Sequence, residues 1–113
     1  MIDGVHVVLY TRDAEADRAF LRDVLGWPHV DAGNGWLIFR TPPAEVACHP
    51  ADGEPSHELM LMCDDLTATV ADLTGRGVEI TGPTVEAPWG RLTGIRLPGG
   101  GEISLYEPRH PRP

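Results

Sequence analysis

Two stretches of the chain repeat the same order of apolar and polar positions. The first has an apolar, β-branched run over residues 2–10, then apolar residues at helical spacing over 13–25. The second has an apolar run over residues 57–63, then a helical pattern over 64–75. In both copies acidic residues stand where the helix begins and a glycine follows its end, as is typical of helix boundaries. The repetition predicts two modules of one design.

Further strand-like segments follow each predicted helix. In the first copy a short segment at 28–32 and an Asn-Gly turn precede strands at 36–40 and 45–49. In the second copy the matching segments are 78–81 with 84–87, interrupted by proline, then 92–97 and 102–106. The order βαβββ therefore occurs twice, in module one (about 2–50) and module two (about 57–108).

The two modules are expected to form one domain over residues 1–113. Each is too small to bury its own apolar faces, so the two must pack together. The expected class is α+β, with curled mixed sheets around a shared cavity. The Pro-rich tail, from Pro108 to Pro113, is expected to fray.

Charge and cysteine content limit the kinds of partner and the cellular compartment that we expect for this protein. The net charge of −8 argues against nucleic acid and against an anionic membrane, which both require clustered Lys and Arg. It would suit a cationic ligand, although solubility explains it equally well. No apolar run approaches the length that crosses a bilayer, so the cytoplasm is expected. Cys48 and Cys63 lie in apolar stretches and are expected to be buried thiols of a reducing compartment.

Several local motifs stand in a recognisable order. His6 leads the first strand, residues 20–27 read Phe-Leu-Arg-Asp-Val-Leu-Gly-Trp, and Cys63-Asp64-Asp65-Leu66 opens the second helix. Residues 98–108 complete the set. In this order and spacing, over about residues 2–108, they resemble the vicinal oxygen chelate superfamily. That group includes glyoxalase I, extradiol dioxygenases, fosfomycin-resistance transferases and bleomycin-binding proteins. The resemblance implies half-barrel modules with a ligand between them.

The resemblance also implies a divalent metal, such as Ni, Zn, Mn or Fe, held by the first and last strand of each module. His6 takes the first position. In module two, His57 and Glu58 compete for the equivalent position, and strand alternation puts them on opposite faces. Glu58 is preferred, because it places Met60 and Met62 in the cavity.

The last-strand positions fit a metal poorly. Where metal-binding relatives carry Glu, this chain has Ala47 and Ser104, and a hydroxyl is a poor ligand for a divalent cation. His49, two residues after Ala47, is a possible substitute, and Glu107 is an alternative that strand alternation puts on the other face. Two of the four ligand positions therefore look vacated.

Side chains able to line an apolar pocket are the other candidates. An indole at the rim could stack on a planar or cationic ligand, although packing alone explains any one of these residues. The predicted ligand-binding residues are Tyr10, Trp36, Met60, Met62, Trp89, Ser104 and Tyr106.

Two functions remain in competition, and no catalytic residue is predicted. The first is a protein of the glyoxalase and bleomycin-resistance type that binds a small aromatic or cationic molecule with an absent or incomplete metal site. The second is a metal-dependent lyase or extradiol-type dioxygenase that uses His6 and Glu58. An accessory module without a ligand is a third possibility, because one scaffold hosts all three. A homodimer is expected, and the second chain could complete the cavity.

Overall fold

The computed structural model describes Met1 and residues 3–113, and its strands lie in two separate sheets. In chain order the elements are α1 (Ala14–Ala19), a π-helix (Phe20–Val24), β1 (His29–Asp31), β2 (Leu37–Phe39), β3 (Met60–Met62), α2 (Leu66–Gly75), β4 (Val85–Ala87), β5 (Gly90–Arg96) and β6 (Glu102–Pro108). The strands β1 and β2 form an antiparallel hairpin. The other four run in the order β3-β6-β5-β4, with β3 parallel to β6. The expected α+β class is confirmed.

The core lies between the helices and one face of the four-stranded sheet. Leu66 of α2 and Ile95 of β5 are fully buried, because alternate residues of β5 and β6 point toward α2. The rest of the core comes from both helical segments, from β6 and from the residues that follow α2 and β5: Phe20, Leu73, Val78, Leu97, Ile103 and Leu105. No helix of the described part of the chain contributes core residues from the opposite face of this sheet. Among the described residues, neither helix is long and apolar enough to cross a membrane.

The first helical segment is shorter and less regular than predicted. The Asp13 carboxylate accepts a hydrogen bond from the Ala16 N–H at 3.0 Å and caps α1. After Ala19 the chain widens into the π-helix, in which the Leu25 N–H bonds the Phe20 carbonyl at 3.2 Å. The predicted helix over 13–25 is therefore two shorter segments that end before Gly26.

Module one contains less sheet than the sequence predicts. Residues 3–10 and 45–49 form no strand, and Ile2 lies outside the described residues. Likewise the predicted strand over 78–81 is reduced to one bridge, between Ile80 and Ile95. The physical reason is that a strand requires a hydrogen-bonded neighbour, and residues 3–10 find none among the described residues of their own chain. As a result the two sheets do not close around a shared cavity.

The single chain is more open than a compact protein of its size. Its radius of gyration is 15.0 Å, whereas about 13 Å is usual for this length. Its accessible surface is 8519 Å², whereas a compact monomer of this mass exposes about 6,100 Å². The unpaired segment contributes apolar surface to this excess, since Val5, Val7 and Val8 are exposed.

A buried carboxylate joins the first helix to module two. Asp17 of α1 accepts a hydrogen bond from the Gly99 N–H at 2.7 Å, although 82 residues separate the two. Residue 99 must be glycine here, because a Cβ would overlap the Thr11 hydroxyl and lie 2.9 Å from the Asp17 carboxylate. The turn from Pro98 to Gly101 therefore contacts α1 in addition to linking β5 to β6.

The C-terminal tail is anchored and does not fray at its start. The Arg109 N–H donates to the Trp89 carbonyl at 2.9 Å, and its guanidinium donates to the Ala87 carbonyl at 2.9 Å. His110 then lies 3.6 Å from the Glu45 carboxylate. Polar contacts thus hold a segment that has no periodic apolar pattern.

Candidate functional site

The uncovered side of the four-stranded sheet brings several predicted residues together. In register, Met60 stands beside Ser104, Met62 beside Tyr106, and Leu92 beside Tyr106. Partners in register share a side, so these five residues share one face, opposite to the core. We call this surface the open face. Except for Tyr106, which is buried, they are half-buried there.

Glu58 and Ser104 meet at this face. The Ser104 hydroxyl donates to the Glu58 carboxylate at 3.2 Å. Glu58 lies two residues before Met60 and therefore on the same side of the chain, while Leu59 and Leu61 pack against the core. His57 is exposed and one residue out of phase. The carboxylate that reaches the open face thus has a serine as its neighbour.

The histidines proposed as metal ligands do not gather around Glu58 in the single chain. His6 and His49 are both exposed, and the His49 ring contacts the neighbouring Pro50 carbonyl at 2.7 Å. Among the described residues, no three His, Cys, Asp or Glu side chains come together as metal ligands would. The donors that the described residues of one chain bring together therefore do not make up a divalent metal site.

Glu107 has a structural contact of its own. Its carboxylate accepts the Leu66 N–H at 2.8 Å, which satisfies a free donor at the start of α2. Asp65 caps the same helix through the Ala68 N–H at 3.0 Å. Arg91 adds a contact of 3.9 Å to Glu107. The carboxylate thus joins the end of β6 to α2.

Tyr106 is the centre of an aromatic group at one end of the open face. Its ring lies 5.4 Å from Trp89 in an edge-to-face arrangement, and its hydroxyl donates to the Trp89 carbonyl at 3.1 Å. The His110 ring lies 5.8 Å away on another side. Burial raises the pKa of Tyr106, and the nearby Glu45 carboxylate raises it further, so the phenol is neutral at pH 7.

Sequence reasoning missed Glu45 and His110 as members of this group. Glu45 lies where a strand was expected, and His110 lies in the tail that was expected to fray. The strand pattern at 45–49 indicates no contact with the tail, and the position of His110 carries no periodic pattern. The only signal was a histidine within a proline-rich segment, which by itself indicates no contact.

The remaining predicted residues lie outside the open face. Tyr10 belongs to the unpaired segment and is almost fully exposed. Trp36, at the tip of the hairpin, lies under the Arg18 guanidinium at 4.7 Å in a cation–π contact. An open groove of about 370 Å³ crosses the hairpin between Pro28, His29, Val30, Ile38, Phe39 and Arg40. This groove is separate from the residues of the open face.

The two cysteines differ, contrary to the expectation that both are buried. Cys48 is exposed because its predicted strand is absent, whereas Cys63 is half-buried against α2. Burial raises the pKa of the Cys63 thiol, and the nearby Glu107 and Asp64 carboxylates add to the effect although a hydrogen bond to Thr69 opposes it.

This difference predicts unequal thiol reactivity. We expect iodoacetamide at pH 8 to alkylate Cys48 at least about tenfold faster than Cys63, because the thiolate is the reacting form and needs access. The single-thiol variants Cys48→Ser and Cys63→Ser would be followed by mass spectrometry. Equal rates in the two variants would contradict the burial of Cys63.

Comparisons with known proteins agree with this architecture. A family model described as the Glyoxalase/Bleomycin resistance protein/Dioxygenase superfamily matches residues 5–108. A comparison with curated protein sequences gives no significant match.

Solved structures give the same result. TnmS3, an antibiotic binding protein from Streptomyces sp. CB03234, is 29% identical with a TM-score of 0.64, and the alignment covers 96% of this chain and 99% of that one. A superfamily member from Sphaerobacter thermophilus DSM 20745 is 24% identical with a TM-score of 0.65, covering 93% and 97%. Lactoylglutathione lyase from Agrobacterium tumefaciens is 18% identical with a TM-score of 0.65, covering 92% of each chain. This chain therefore belongs to the Glyoxalase/Bleomycin resistance protein/Dioxygenase superfamily.

Proposed function

We propose that this protein binds a small organic molecule on the open face and that its metal site is absent or incomplete. The observation that carries the proposal is the Glu58–Ser104 hydrogen bond of 3.2 Å, beside Met60 and Met62. A carboxylate bonded to a hydroxyl orients a polar group of a ligand, and thioether side chains adapt to an apolar one. Few polar groups on a mostly apolar surface are typical of small-molecule sites.

The relationship to an antibiotic-binding protein supports this function. TnmS3 is 29% identical over nearly the whole of both chains. Its name describes binding and not turnover, and the residues at the open face of this chain suit the same kind of role. The lyase of the superfamily, at 18% identity, shares the fold and carries no argument about chemistry.

We further propose that the protein is a homodimer whose second chain completes the site. The single chain exposes about 2,400 Å² more than a compact monomer, which is the area that each partner of a large, obligate interface buries. The unpaired residues 3–10 are mostly apolar, and β3 has one free edge among the described strands. A second chain that adds residues 3–10 to this edge would cover both surfaces.

The proposed dimer also bears on the second candidate function, that of a metal-dependent enzyme. A strand added along β3 brings His6 of the second chain to the edge of the face that holds Glu58. A metal-dependent lyase or dioxygenase would then have a histidine and a carboxylate from two chains, with His49, His57 or Glu107 as the remaining candidates. Elemental analysis, followed by titration with Ni, Zn, Mn and Fe(II), separates the two functions. Tight stoichiometric metal that is lost in His6→Ala would overturn the metal-free proposal.

Binding itself is tested with three bicyclic aromatic compounds of matched size. They are 2-naphthol, N-methylquinolinium and 2-naphthoate, measured by titration calorimetry. We expect at least one to bind, and Met62→Lys to weaken it about tenfold or more, because a charge replaces apolar contact on the open face. The control Met62→Leu keeps the apolar volume and should stay within about twofold. If Met62→Lys leaves the affinity unchanged, the ligand binds elsewhere and the proposal is contradicted.

A further inference from the structure

Four side chains converge at the Tyr106 end of the open face. Glu45 comes from module one, Trp89 and Tyr106 from module two, and His110 from the C-terminal tail. We call these four residues the acidic aromatic cluster. They combine one carboxylate with two electron-rich rings, and the imidazole of His110 lies among them.

The His110 ring lies beside both Glu45 and Tyr106. Its Nδ1 lies 2.8 Å from the Pro111 carbonyl oxygen, and its Nε2 lies 3.6 Å from the Glu45 carboxylate. The ring centre lies 5.8 Å from that of Tyr106. A cation in the place of this ring would be near a carboxylate and within the range at which an aromatic face attracts a positive charge.

The surrounding charges leave Glu45 available to a cation. The nearby Arg109 guanidinium is bound to Glu86 and to the Ala87 carbonyl at 2.9 Å. Arg91 is likewise paired with Glu86 at 2.8 Å. Among the described residues, the ion pair that Glu45 makes is the one with His110. Glu45 is also partly shielded from solvent, which strengthens its attraction for a positive charge.

The tail can release His110 without detaching. Arg109 is anchored by its own N–H, which donates to the Trp89 carbonyl at 2.9 Å, and by its side chain. The residues after His110 are exposed. A change of the His110 rotamer alone would therefore open the space between Glu45 and Tyr106.

We propose that the acidic aromatic cluster is a subsite for an organic cation, and that the His110 ring occupies it until such a ligand displaces it. This inference rests on the proposed function and names the charge of its ligand. Glu45 pairs with the positive group, while Trp89 and Tyr106 contact its planar or alkylated part. The net charge of −8 draws cations toward the protein as a whole.

The test compares N-methylquinolinium with the neutral 2-naphthol by titration calorimetry. Glu45→Gln should weaken the cation about five- to tenfold and leave 2-naphthol unchanged, since only the ion pair is lost. The control Glu79→Gln removes one negative charge from an exposed pair with Arg96 and should change neither affinity. His110→Ala should tighten the cation several-fold, because the internal competitor is gone. In the double variant with Glu45→Gln this gain should disappear.

The outcomes separate this inference from the proposed function. Equal effects of Glu45→Gln and Glu79→Gln would overturn the cation subsite, as would a His110→Ala variant that binds the cation more weakly. If 2-naphthol binds as tightly as N-methylquinolinium, the open face binds ligands and only the inference fails. If none of the three bicyclic compounds binds, the proposed function fails together with it.

Discussion

Gly90→Ala is expected to lower the midpoint of thermal unfolding by roughly 10 °C, which corresponds to about 2–3 kcal/mol of lost stability. Gly90 begins β5 opposite Pro108. A Cβ at this position would overlap the Tyr106 ring and lie 2.5 Å from the Glu107 carbonyl oxygen. Backbone atoms of β6 cannot move away without breaking hydrogen bonds between β5 and β6. Any shift that relieves the overlap therefore lowers stability as well.

The same substitution should also disturb ligand binding. The Tyr106 ring can lie against the backbone of residue 90 only because no side chain stands there. If the ring moves, its hydroxyl loses the Trp89 carbonyl and the acidic aromatic cluster loses its centre. Circular dichroism melting and calorimetric titration would measure the two effects separately.

Gly101→Ala is the matched control for this prediction. No heavy atom lies within 4 Å of a Cβ built at Gly101, and the residue is exposed. A substitution there should change the unfolding midpoint by no more than about 2 °C. Equal destabilisation by both substitutions would mean that loss of glycine flexibility, and not the approach of Tyr106, sets the effect.

The sequence predicted the helix and the last strand of module two well, because neighbouring residues set their apolar patterns. The helix expected over 64–75 is observed as Leu66–Gly75, and the last strand runs from Glu102 as expected. The alternation that favoured Glu58 over His57 depends only on the period of a strand, which neighbouring residues fix. In the structure the Glu58 carboxylate accepts a hydrogen bond from Ser104 at 3.2 Å, and its role in a ligand or metal site stays a prediction.

Module one shows what a local pattern cannot predict. The apolar run over residues 2–10 describes a segment that favours a strand, but a strand forms only where another backbone pairs with it. Described residues 3–10 lack that neighbour within the chain. The contact between Glu45 and His110 is equally hard to predict from the sequence, since 65 positions separate the two residues and no periodic pattern links them. Contacts between residues far apart in the sequence are the ones that sequence reasoning missed.

Val7→Asp is expected to convert the protein from a dimer, with twice the 12.3 kDa mass of one chain, into a monomer. Val7 lies in the middle of the unpaired apolar segment and is 54% exposed. If residues 3–10 add to the free edge of β3 in a second chain, an aspartate there would be buried without a partner, which costs several kcal/mol at each of two symmetric positions. Sedimentation velocity would report the change in mass.

Val85→Asp is the control that distinguishes loss of this interface from a general effect of placing a charge at an exposed valine. Val85 is also an exposed valine, at 52%, but it lies on β4 at the opposite edge of the same sheet. This variant should remain dimeric, because the proposed strand addition occurs at β3. A Val7→Asp protein that stays dimeric, or a Val85→Asp protein that dissociates, would place the interface elsewhere.

Since the second chain is proposed to complete the open face, the monomeric Val7→Asp protein should also lose its affinity for the bicyclic ligands. Dissociation without that loss would show that one chain suffices for binding.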